Sequence, residues 1–338
     1  MKSNVTMRDI AEKIGVSSVT VSKALNDKEG VSDHLKEKIK ELADEMGYRY
    51  NTTAKSMKNG LTYNIGVVIP ERFSGEETQS FYFRAFQEIA KHLEKFGYDG
   101  ILNILSNKDE EDLRLPRLYS EQKVDGFIFL GQLSAEYIQK VKETNMKKVF
   151  LDFYDEHNEI DSVITDNFYG AYEITNYLIS KGHQCIGYVG NLYATSSIQD
   201  RFLGYYKSLL EHRIPLNPEW VIDDRDSRGK YIKFKLPEEL PSAFVCNCDQ
   251  VAHLLIKRLN VEGYQVPEDI SVVGFDNDIY ATITEPKLTT IEVDINEMVA
   301  QSVKLIIEKV QGSTRDFGRT SVKGKIITRD SVAEKRQG

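Results

Sequence analysis

Residues 15–26 are GVSSVTVSKALN, a stretch of small hydroxyl and β-branched side chains whose single charge is Lys23. Ser, Thr and Val are weak helix formers, so helix propensity alone does not explain this composition. Gly15 permits a tight turn, and Ser17 can cap a helix that runs to about Leu25. The stretch therefore predicts a turn followed by a short helix with a surface of mostly small side chains.

Helical signals also flank this stretch. Thr6 and Asp9 have the spacing of a capping box, in which a hydroxyl and a carboxylate bond the free amides at a helix start. Apolar residues then repeat at helical spacing over residues 7–14 and again over residues 31–46, where Gly47 ends the pattern. The first sixty or so residues therefore predict three short helices.

From residue 63 onward, short apolar strands alternate with amphipathic helices. This alternation predicts parallel sheets covered by helices on both faces. Seven or more strands over about 270 residues fit two lobes better than one, given usual domain sizes. The strand segments are YNIGVVIP, YDGILNIL, VDGFIFL, KKVFLDF, QCIGYVG, AFVCN and ISVVGFD, and the helices are expected near residues 80–96, 169–182, 201–212 and 249–262.

The net charge of −8 disfavours a nucleic-acid partner for the chain as a whole, but the charge is unevenly distributed. Residues 1–61 contain 11 Lys and Arg against 9 Asp and Glu, which gives +2 and leaves −10 for the rest. A local basic surface on an acidic protein is therefore compatible with the sequence. An apolar content of 41% is typical of a globular protein, and neither a membrane span nor a secretory signal is expected, which predicts a cytoplasmic location.

The three cysteines, Cys185, Cys246 and Cys248, are too few for a disulfide framework, so reduced thiols are expected. Together with His183 they could supply four zinc ligands, but the segment GHQCI is typical of an ordinary entry into a strand. We predict no metal site and no cofactor. The sequence shows no GxSxG motif, no P-loop and no GxGxxG motif after a strand, so no enzymatic activity is predicted.

Two N-terminal segments, VTMRDIAEKIGVSSVTVSKALN and VSDHLKEKIKELADEMGYRYN, followed by AKSM, resemble the DNA-binding head and hinge of the lactose-repressor (LacI/GalR) family. Later segments resemble the effector core of that family: ITDNFYGAYEITNYLISKGHQCIGYVG, DRFLGYYKSL, DQVA, VPEDISVVGFDN and EPKLTTIEVDINEM. The resemblance covers about residues 5–332. It implies an all-α helix-turn-helix head and a two-lobed α/β core of the periplasmic-binding-protein type, with Rossmann-like parallel sheets.

The resemblance also implies a division into domains. A DNA-binding domain is expected at residues 1–50, a hinge at residues 51–61, and a core for effector binding and dimerisation at residues 62–338. Within the core, the N-lobe is expected over about residues 62–163 and 293–325, and the C-lobe over about residues 164–292 and 326–338. Residues 229–241 are too few for the full helix that is usual in the family, so we expect a reshaped cleft wall there.

The contacts to DNA follow from the same resemblance. Ser18, Val19 and Lys23 match positions that contact bases in the major groove, where small side chains let a helix backbone approach. In the hinge, Met57 stands where the family usually has a leucine that wedges into the minor groove. The DNA-binding residues implied in this way are Thr6, Ser17, Ser18, Val19, Thr20, Ser22, Lys23, Asn26, Asn51, Ala54, Lys55 and Met57.

Seven residues are candidates for the effector cleft. Aromatic rings cover the C–H side of a sugar ring, while arginine and carboxylate side chains form charge-assisted hydrogen bonds with its hydroxyls. The resemblance assigns such roles to Phe81, Tyr82, Ser197, Arg201 and Asp276, with Arg201 expected where a loop enters the helix RFLGYY. Cys248 replaces an amide that often contacts sugar in the family, and Asp224 lies in a loop that is either solvated or in contact with the ligand.

The function implied is that of a homodimeric transcriptional regulator, most simply a repressor of carbohydrate-utilisation genes, associated with the nucleoid. Two copies would bind a pseudo-palindromic operator in double-stranded DNA. A small sugar in the cleft would change operator affinity by altering how the lobes close. The alternatives are a regulator that answers to another small molecule, such as a nucleobase, and a free sugar-binding receptor, which the helical head disfavours.

Overall fold

The computed structural model describes residues 5–48, 60–74, 79–226, 229–233 and 235–335. The chain divides into two compact units, Met1–Thr62 and Tyr63–Gly338, each with its own hydrophobic core. The hinge residues to which the sequence assigned DNA contacts lie outside the described residues; these are Asn51, Ala54, Lys55 and Met57.

The smaller unit contains three helices, as predicted: α1 (Met7–Ile14), α2 (Ser18–Leu25) and α3 (Asp33–Glu45). The capping box at Thr6 is formed, and Gly15 ends α1 with a left-handed φ of 76°, which a glycine adopts without strain. Each helix contributes apolar side chains to one core, which consists of Ile10, Ala11, Val21, Ala24, Leu25, Ile39, Ala43 and Tyr48.

The larger unit is built from alternating strands and helices, as predicted. Its strands are β1 (Asn64–Pro70), β2 (Asp99–Leu105), β3 (Gly126–Leu130), β4 (Lys148–Leu151), β5 (Ser162–Thr165), β6 (Ile186–Val189), β7 (Val221–Ile222), β8 (Ala243–Cys246), β9 (Ser271–Val273), β10 (Thr290–Glu292), β11 (Arg319–Val322) and β12 (Lys325–Ile327). Its helices are α4 (Gln79–Glu94), α5 (Asn107–Glu111), α6 (Arg117–Ser120), α7 (Ala135–Lys142), α8 (Asn167–Ser180), α9 (Ser196–Glu211), α10 (Asp249–Val261), α11 (Ile279–Ile283) and α12 (Ile295–Val310).

Two parallel sheets define the two lobes of this unit. The first has the strand order β11-β5-β4-β3-β1-β2, and the second has the order β7-β6-β8-β9. In both sheets the neighbouring strands are parallel. The late strand β11 returns to the first sheet beside β5, so the chain passes between the lobes more than once. We call the lobe with the first sheet the N-lobe and the other the C-lobe.

The order of the strands locates the binding crevice. In the first sheet the chain moves outward in opposite directions from β1 and β3, and in the second it does so from β6 and β8. Ligands of open parallel sheets bind at such reversal points, beyond the carboxyl ends of the strands. The candidate residues follow such strand ends: Phe81 and Tyr82 come after β1, Ser197 and Arg201 after β6, Asp224 after β7, Cys248 after β8 and Asp276 after β9.

Two local features differ from, or refine, the expectations. Helix α9 begins at Ser196 rather than near residue 201, because the Thr195 hydroxyl accepts the Ile198 amide at 3.2 Å and caps it. Arg201 therefore lies inside the helix. In the segment 229–241, the described residues contain no helix, as expected, and Tyr231 instead forms an antiparallel bridge with Arg225.

Candidate functional site

The outward face of α2 carries small side chains. Val19 is 65% exposed, whereas Val21, Ala24 and Leu25 of the same helix are buried in the core. Ser18 is exposed beside Val19. Because no bulky side chain projects from this part of the helix, its backbone can come close to the edges of bases in a groove.

The hydroxyl-bearing residues near α2 also fix the helix ends. The Ser17 Oγ accepts the Thr20 amide at 3.1 Å and lies 2.9 Å from the Thr20 Oγ1. The Asn26 side chain donates to the Ser22 carbonyl at 2.7 Å. At the start of α1, the Thr6 amide and hydroxyl both donate to Asp9 at 2.7 Å. These bonds hold the helices in place, while contact of the same residues with DNA stays a prediction.

Lys23 is exposed in the last turn of α2. A Cβ atom at Gly30 would lie 3.3 Å from the Lys23 Nζ, so the ammonium rests against the loop after the helix. Gly30 has a φ of +91°, a conformation that favours glycine. The glycine therefore both shapes this loop and leaves room for the lysine at the predicted DNA face.

In the larger unit, Arg201 is the centre of the candidate effector cleft. Its Nε donates to Asn167 Oδ1 at 2.8 Å, and its Nη1 donates to the Asn247 carbonyl at 2.5 Å. Its Nη2 pairs with Asp276 Oδ1 at 3.1 Å, and the guanidinium lies 3.8 Å from the centre of the Phe275 ring. These contacts hold a buried cation in one orientation, which is the arrangement that recognises oxygen atoms of a ligand.

Asp276 follows β9 in the C-lobe and has an unusual backbone. Its φ of +104° is unfavourable for a residue with a side chain, and such conformations concentrate at functional sites. Burial raises the pKa of its carboxyl to about 7, and the Arg201 charge opposes that rise, while Asp278 and Asp152 add to it. The carboxyl can therefore exchange a proton near neutral pH.

Asp152 brings a second carboxyl to the cleft from the N-lobe. It directly follows β4 and also has a positive φ, +71°. Burial raises the pKa of its carboxyl to about 6, and the Arg201 charge opposes that rise. The Tyr82 hydroxyl of α4 donates to it at 3.3 Å, and burial, with the nearby charges of Asp152 and Asp276, raises the pKa of Tyr82 well above its usual value. Groups from both lobes thus meet here.

A second arginine stands beside this group. Arg225 donates through Nε and Nη2 to Asp224 Oδ2, at 3.0 and 2.7 Å, and its guanidinium lies 4.7 Å from the centre of the Tyr231 ring. Asp224 is 1% exposed and also accepts the Asn191 amide and the Asn247 side-chain amide. The carboxylate oxygens are thus used to hold protein groups, which places Asp224 behind Arg225 and makes a positioning role the better proposal for it.

Cys248 directly precedes α10, at its N-cap position, on the same wall of the cleft. Its Sγ lies 3.9 Å from the Tyr231 hydroxyl. Burial raises the pKa of the Cys248 thiol to about 12, with a further contribution from the Asp276 charge, so the thiol stays protonated at neutral pH. A protonated thiol is a weak hydrogen-bond donor, which makes this position more apolar than the amide usual in the family.

Phe81 and Ser197 lie at the margin of the cluster. The Phe81 ring is half-buried and meets the Tyr82 ring edge-on, with 5.2 Å between ring centres. The Ser197 hydroxyl lies 2.9 Å from the Thr195 hydroxyl, within its own helix start. Neither side chain bonds to Arg201 or Asp276, so their contact with a ligand stays a prediction.

The structure brings together more residues than the sequence identified. Asp152, Arg225 and Asn247 were missed. Asp152 could have been found because it directly follows the strand segment KKVFLDF, as Asp276 follows ISVVGF. Arg225 gave no comparable signal, because its position depends on contacts with Asp224 and Tyr231 that no local pattern reveals.

His183, one of the four residues considered as zinc ligands, is hydrogen-bonded within the protein. Among the described residues, no group of three or more His, Cys, Asp or Glu side chains is arranged to hold a metal ion. His183 instead lies 2.9 Å from the Ser242 hydroxyl and 3.1 Å from the Ala333 carbonyl.

Within the described parts of the chain, no helix has the length and apolar character needed to cross a membrane.

Comparison with protein families gives two matches. Residues 6–51 match the family described as bacterial regulatory proteins, lacI family. Residues 175–332 match the periplasmic binding protein-like domain. The first match covers the three helices of the smaller unit, and the second covers most of the C-lobe and the return of the chain to the N-lobe.

Individual proteins resemble the chain over nearly all of its length. The HTH-type transcriptional regulator RegA of Clostridium saccharobutylicum is 31% identical over 341 residues, which cover 97% of this chain and 99% of RegA. The HTH-type transcriptional repressor PurR of Vibrio parahaemolyticus is 26% identical over 333 residues, 97% of this chain and 98% of PurR. The lac repressor dimer bound to operator and the anti-inducer ONPF has the same fold, with a TM-score of 0.77, 24% identity, and coverage of 98% of this chain and 100% of that one.

Proposed function

Because the chain belongs to the lacI family of bacterial regulatory proteins and is a DNA-binding transcriptional regulator, we propose that it is a homodimeric repressor of carbohydrate-utilisation genes, controlled by a small sugar. The observation that carries the proposal is the meeting of Arg201 and Asp276 of the C-lobe with Asp152 of the N-lobe. A ligand that bonds to these groups touches both lobes and so favours their closure.

The chemistry of these groups suits a polyhydroxylated ring. A sugar hydroxyl both donates and accepts, so it can donate to a carboxylate and accept from a guanidinium at the same time. The half-buried rings of Tyr82 and Phe81 offer apolar faces for the C–H side of a sugar. This combination of two acids, an arginine and aromatic rings supports a sugar as the effector.

The balance of charge supports an uncharged sugar. The cleft contains two guanidiniums, Arg201 and Arg225, each paired with a carboxyl of its own lobe, Asp276 and Asp224. Asp152 is a further acid that pairs with a hydroxyl rather than with a cation. An anionic ligand would meet this extra acid, so phosphorylated sugars and sugar acids are disfavoured.

A nucleobase is the second candidate effector. The rings of Phe73 and Tyr82 lie 5.0 Å apart, and those of Phe81 and Tyr82 lie 5.2 Å apart, which forms an aromatic cluster at the N-lobe side. Aromatic faces also stack on flat heterocycles. The carboxyls favour a sugar because they offer more acceptors than one flat base with few donors can use.

Homodimerisation follows from the size of the DNA-binding surface. Helix α2 has eight residues and exposes few side chains that can contact bases, so one copy reads too little DNA for a specific operator. The larger unit offers a surface for pairing. Leu102 and Ile104 are 39% and 44% exposed on one face of β2, which is the edge strand of the first sheet. Exposed apolar residues on an edge strand favour pairing with a second copy.

The effector proposal is tested by a thermal-shift assay on the full-length protein. The panel contains D-glucose, cellobiose, maltose and lactose, their acidic counterparts glucose 6-phosphate and glucuronate, and the bases guanine and hypoxanthine. A ligand that binds the native state raises the melting temperature. We expect a neutral sugar to do so for the wild type and not for Arg201→Met.

The matched control is Arg213→Met, which removes an exposed arginine just beyond α9. It should respond to the sugar as the wild type does. If only a nucleobase raises the melting temperature, the effector is a nucleobase rather than a sugar. An equal response of Arg201→Met and the wild type would place the effector outside this cleft.

A further inference from the structure

The first two turns of α9 are in direct contact with the opposite lobe. The side-chain oxygen of Gln132, which follows β3 of the N-lobe, accepts the Ser196 amide at 3.1 Å and the Ser196 hydroxyl at 3.0 Å. Ser196 is the first residue of α9, where backbone amides have no partner within the helix. An amide that would otherwise need water is therefore satisfied from the other lobe.

A second contact lies one turn further along the helix. The Tyr154 hydroxyl, on the loop after β4 of the N-lobe, donates towards Asp200, with both carboxylate oxygens at 3.1 Å. The Arg319 guanidinium, at the start of β11, lies 4.4 Å from the centre of the Tyr154 ring. Burial raises the pKa of Asp200, and the hydrogen bond from Tyr154 and the charge of Arg319 oppose that rise. Three elements, two from the N-lobe and one from the C-lobe, thus meet at Asp200.

These contacts are separate from the groups assigned to the effector. Arg201 is the neighbour of Asp200 in sequence, but it points to Asn167, Asn247 and Asp276. Among the residues that the structure describes, Gln132 and Tyr154 bond to the amino end of α9 and to their own lobe. The lobes are therefore joined by direct protein contacts as well as by any ligand between them.

We propose that Gln132 and Tyr154 form an interlobe latch on the amino end of α9, which favours closure of the two lobes and so contributes to operator affinity. The effect of the latch on operator affinity rests on the proposed function. The closure of the lobes does not, because it is a property of the larger unit. An experiment can therefore contradict one of these two statements and leave the other standing.

The latch is tested by hydrogen exchange of the Ser196 amide in the full-length protein, resolved to single residues by fragmentation in the mass spectrometer. Tyr154→Phe removes one hydroxyl and keeps the ring beneath Arg319. The hydroxyl does not touch Ser196, so a merely local role would leave that amide unchanged. If closure protects the amide, exchange at Ser196 should become about fivefold faster, the effect of one lost hydrogen bond on an opening equilibrium.

Gln132→Met is the second variant, and it removes the acceptor of the Ser196 amide directly. The matched control is Tyr119→Phe, which removes a hydroxyl bonded at 3.0 Å to Asn145 within the N-lobe. It should leave exchange at Ser196 unchanged. If the Ser196 amide exchanges at the same rate in Tyr154→Phe as in the wild type, the latch is overturned, whatever the variant does to DNA binding.

Operator binding without effector is the second readout. If closure of the lobes is coupled to the operator, loosening the latch should change effector-free binding of the operator by a few fold. Faster exchange with unchanged operator affinity would overturn the link between the latch and DNA. Loss of all DNA binding in the wild type would instead contradict the proposed function and leave the exchange result valid.

Discussion

At the scale of single residues, the chemistry of the cleft is set by burial. Asp152 and Asp276 have ordinary side chains, yet burial raises the pKa of the first to about 6 and that of the second to about 7. Arg201 opposes both shifts but does not cancel them, because it stands against two carboxyls. Both carboxyls therefore bind a proton more readily than an exposed aspartate does, and ligand hydroxyls are suited to form hydrogen bonds with them.

The raised pKa of Asp152 predicts a pH-dependent stability. An aspartate in an unfolded chain has a pKa of about 3.9, so between about pH 4 and pH 6 the folded protein holds a proton that the unfolded chain has released. The contribution of Asp152 to the free energy of unfolding therefore falls as pH rises through this range. We expect Asp152→Asn to gain stability relative to the wild type from pH 4 to pH 6 and to gain no more above about pH 7.

Chemical denaturation at several pH values measures this difference. Asp99→Asn, at an exposed position of β2, is the control and should show no such trend relative to the wild type. A constant difference between Asp152→Asn and the wild type across the whole range would show that the Asp152 carboxyl is not held in a buried environment.

The sequence predicted only part of the site at this scale. Arg201 and Asp276 were identified, because they stand in segments that resemble a known family. Asp224 and Arg225 are neighbours in the chain, yet Asp224 faces inward with 1% exposure and uses its oxygens on Asn191, Asn247 and Arg225. Which of two adjacent residues faces a cleft depends on the backbone of a short bridge, and composition does not encode this.

Among the elements, helix α2 carries residues that stabilise the smaller unit on its buried face and residues predicted to contact DNA on its exposed face. Val21 is fully buried and Val19 is 65% exposed. Val21→Ala should therefore destabilise the smaller unit by about 2 kcal/mol through the cavity it leaves. Val19→Ala should change stability by no more than about 0.5 kcal/mol and weaken operator binding by about fivefold or more.

Thermal unfolding and fluorescence anisotropy with a labelled operator measure these two effects. The two variants remove the same atoms, two residues apart, so each is the control for the other. Unchanged operator affinity in Val19→Ala, with the protein folded, would contradict the placement of this face against DNA.

The crossing of α8 and α9 depends on a single glycine. A Cβ atom at Gly204 would lie 2.0 Å from the Phe168 carbonyl oxygen. The two helices would have to move apart to remove this overlap. Gly204→Ala should destabilise the larger unit by about 3 kcal/mol, because the obstruction is backbone rather than a flexible side chain. Urea denaturation measures the loss.

Gly100→Ala in β2 is the control for this prediction, since its nearest neighbour would be Leu93 at an ordinary contact distance of 3.4 Å. It should change stability by less than about 1 kcal/mol. Similar losses in the two variants would show that close helix packing is not the reason for glycine at residue 204.

The positions of helices and strands were predicted better than the contacts within the site. The helices of the smaller unit and seven strands, β1 to β4, β6, β8 and β9, lie where the apolar pattern placed them, because each depends on its own residues. The short strands β5 and β7 were not predicted. The start of α9 was misplaced, since its cap, Thr195, lies in a run of small polar residues that also suits a loop. The pairing of β11 with β5 joins residues 157 positions apart, such as Arg319 and Ser162, and no local pattern predicts it.

At the scale of the whole molecule, pairing of two copies is the condition for reading a palindromic operator. If the exposed face of β2 takes part, Ile104→Glu should place a charge in the interface and shift the protein towards monomers. Operator affinity should fall with it, because each monomer contacts only half a site. Sedimentation velocity at micromolar concentration measures the oligomeric state.

Leu203→Glu is the control for the pairing surface, because Leu203 is 45% exposed on α9 of the other lobe. It should leave the oligomeric state unchanged. A dimer that survives Ile104→Glu and dissociates with Leu203→Glu would move the proposed interface to the α9 surface.

The proposed function requires that a sugar in the cleft changes the affinity of the protein for its operator through Arg201. Fluorescence anisotropy measures this affinity in a titration of a labelled duplex from the promoter region of the gene itself, with and without the sugar that stabilises the protein in the thermal-shift panel. We expect the sugar to change wild-type affinity by about tenfold or more, and Arg201→Met to bind the duplex equally well with or without it. A sugar response of Arg201→Met equal to that of the wild type would contradict the account.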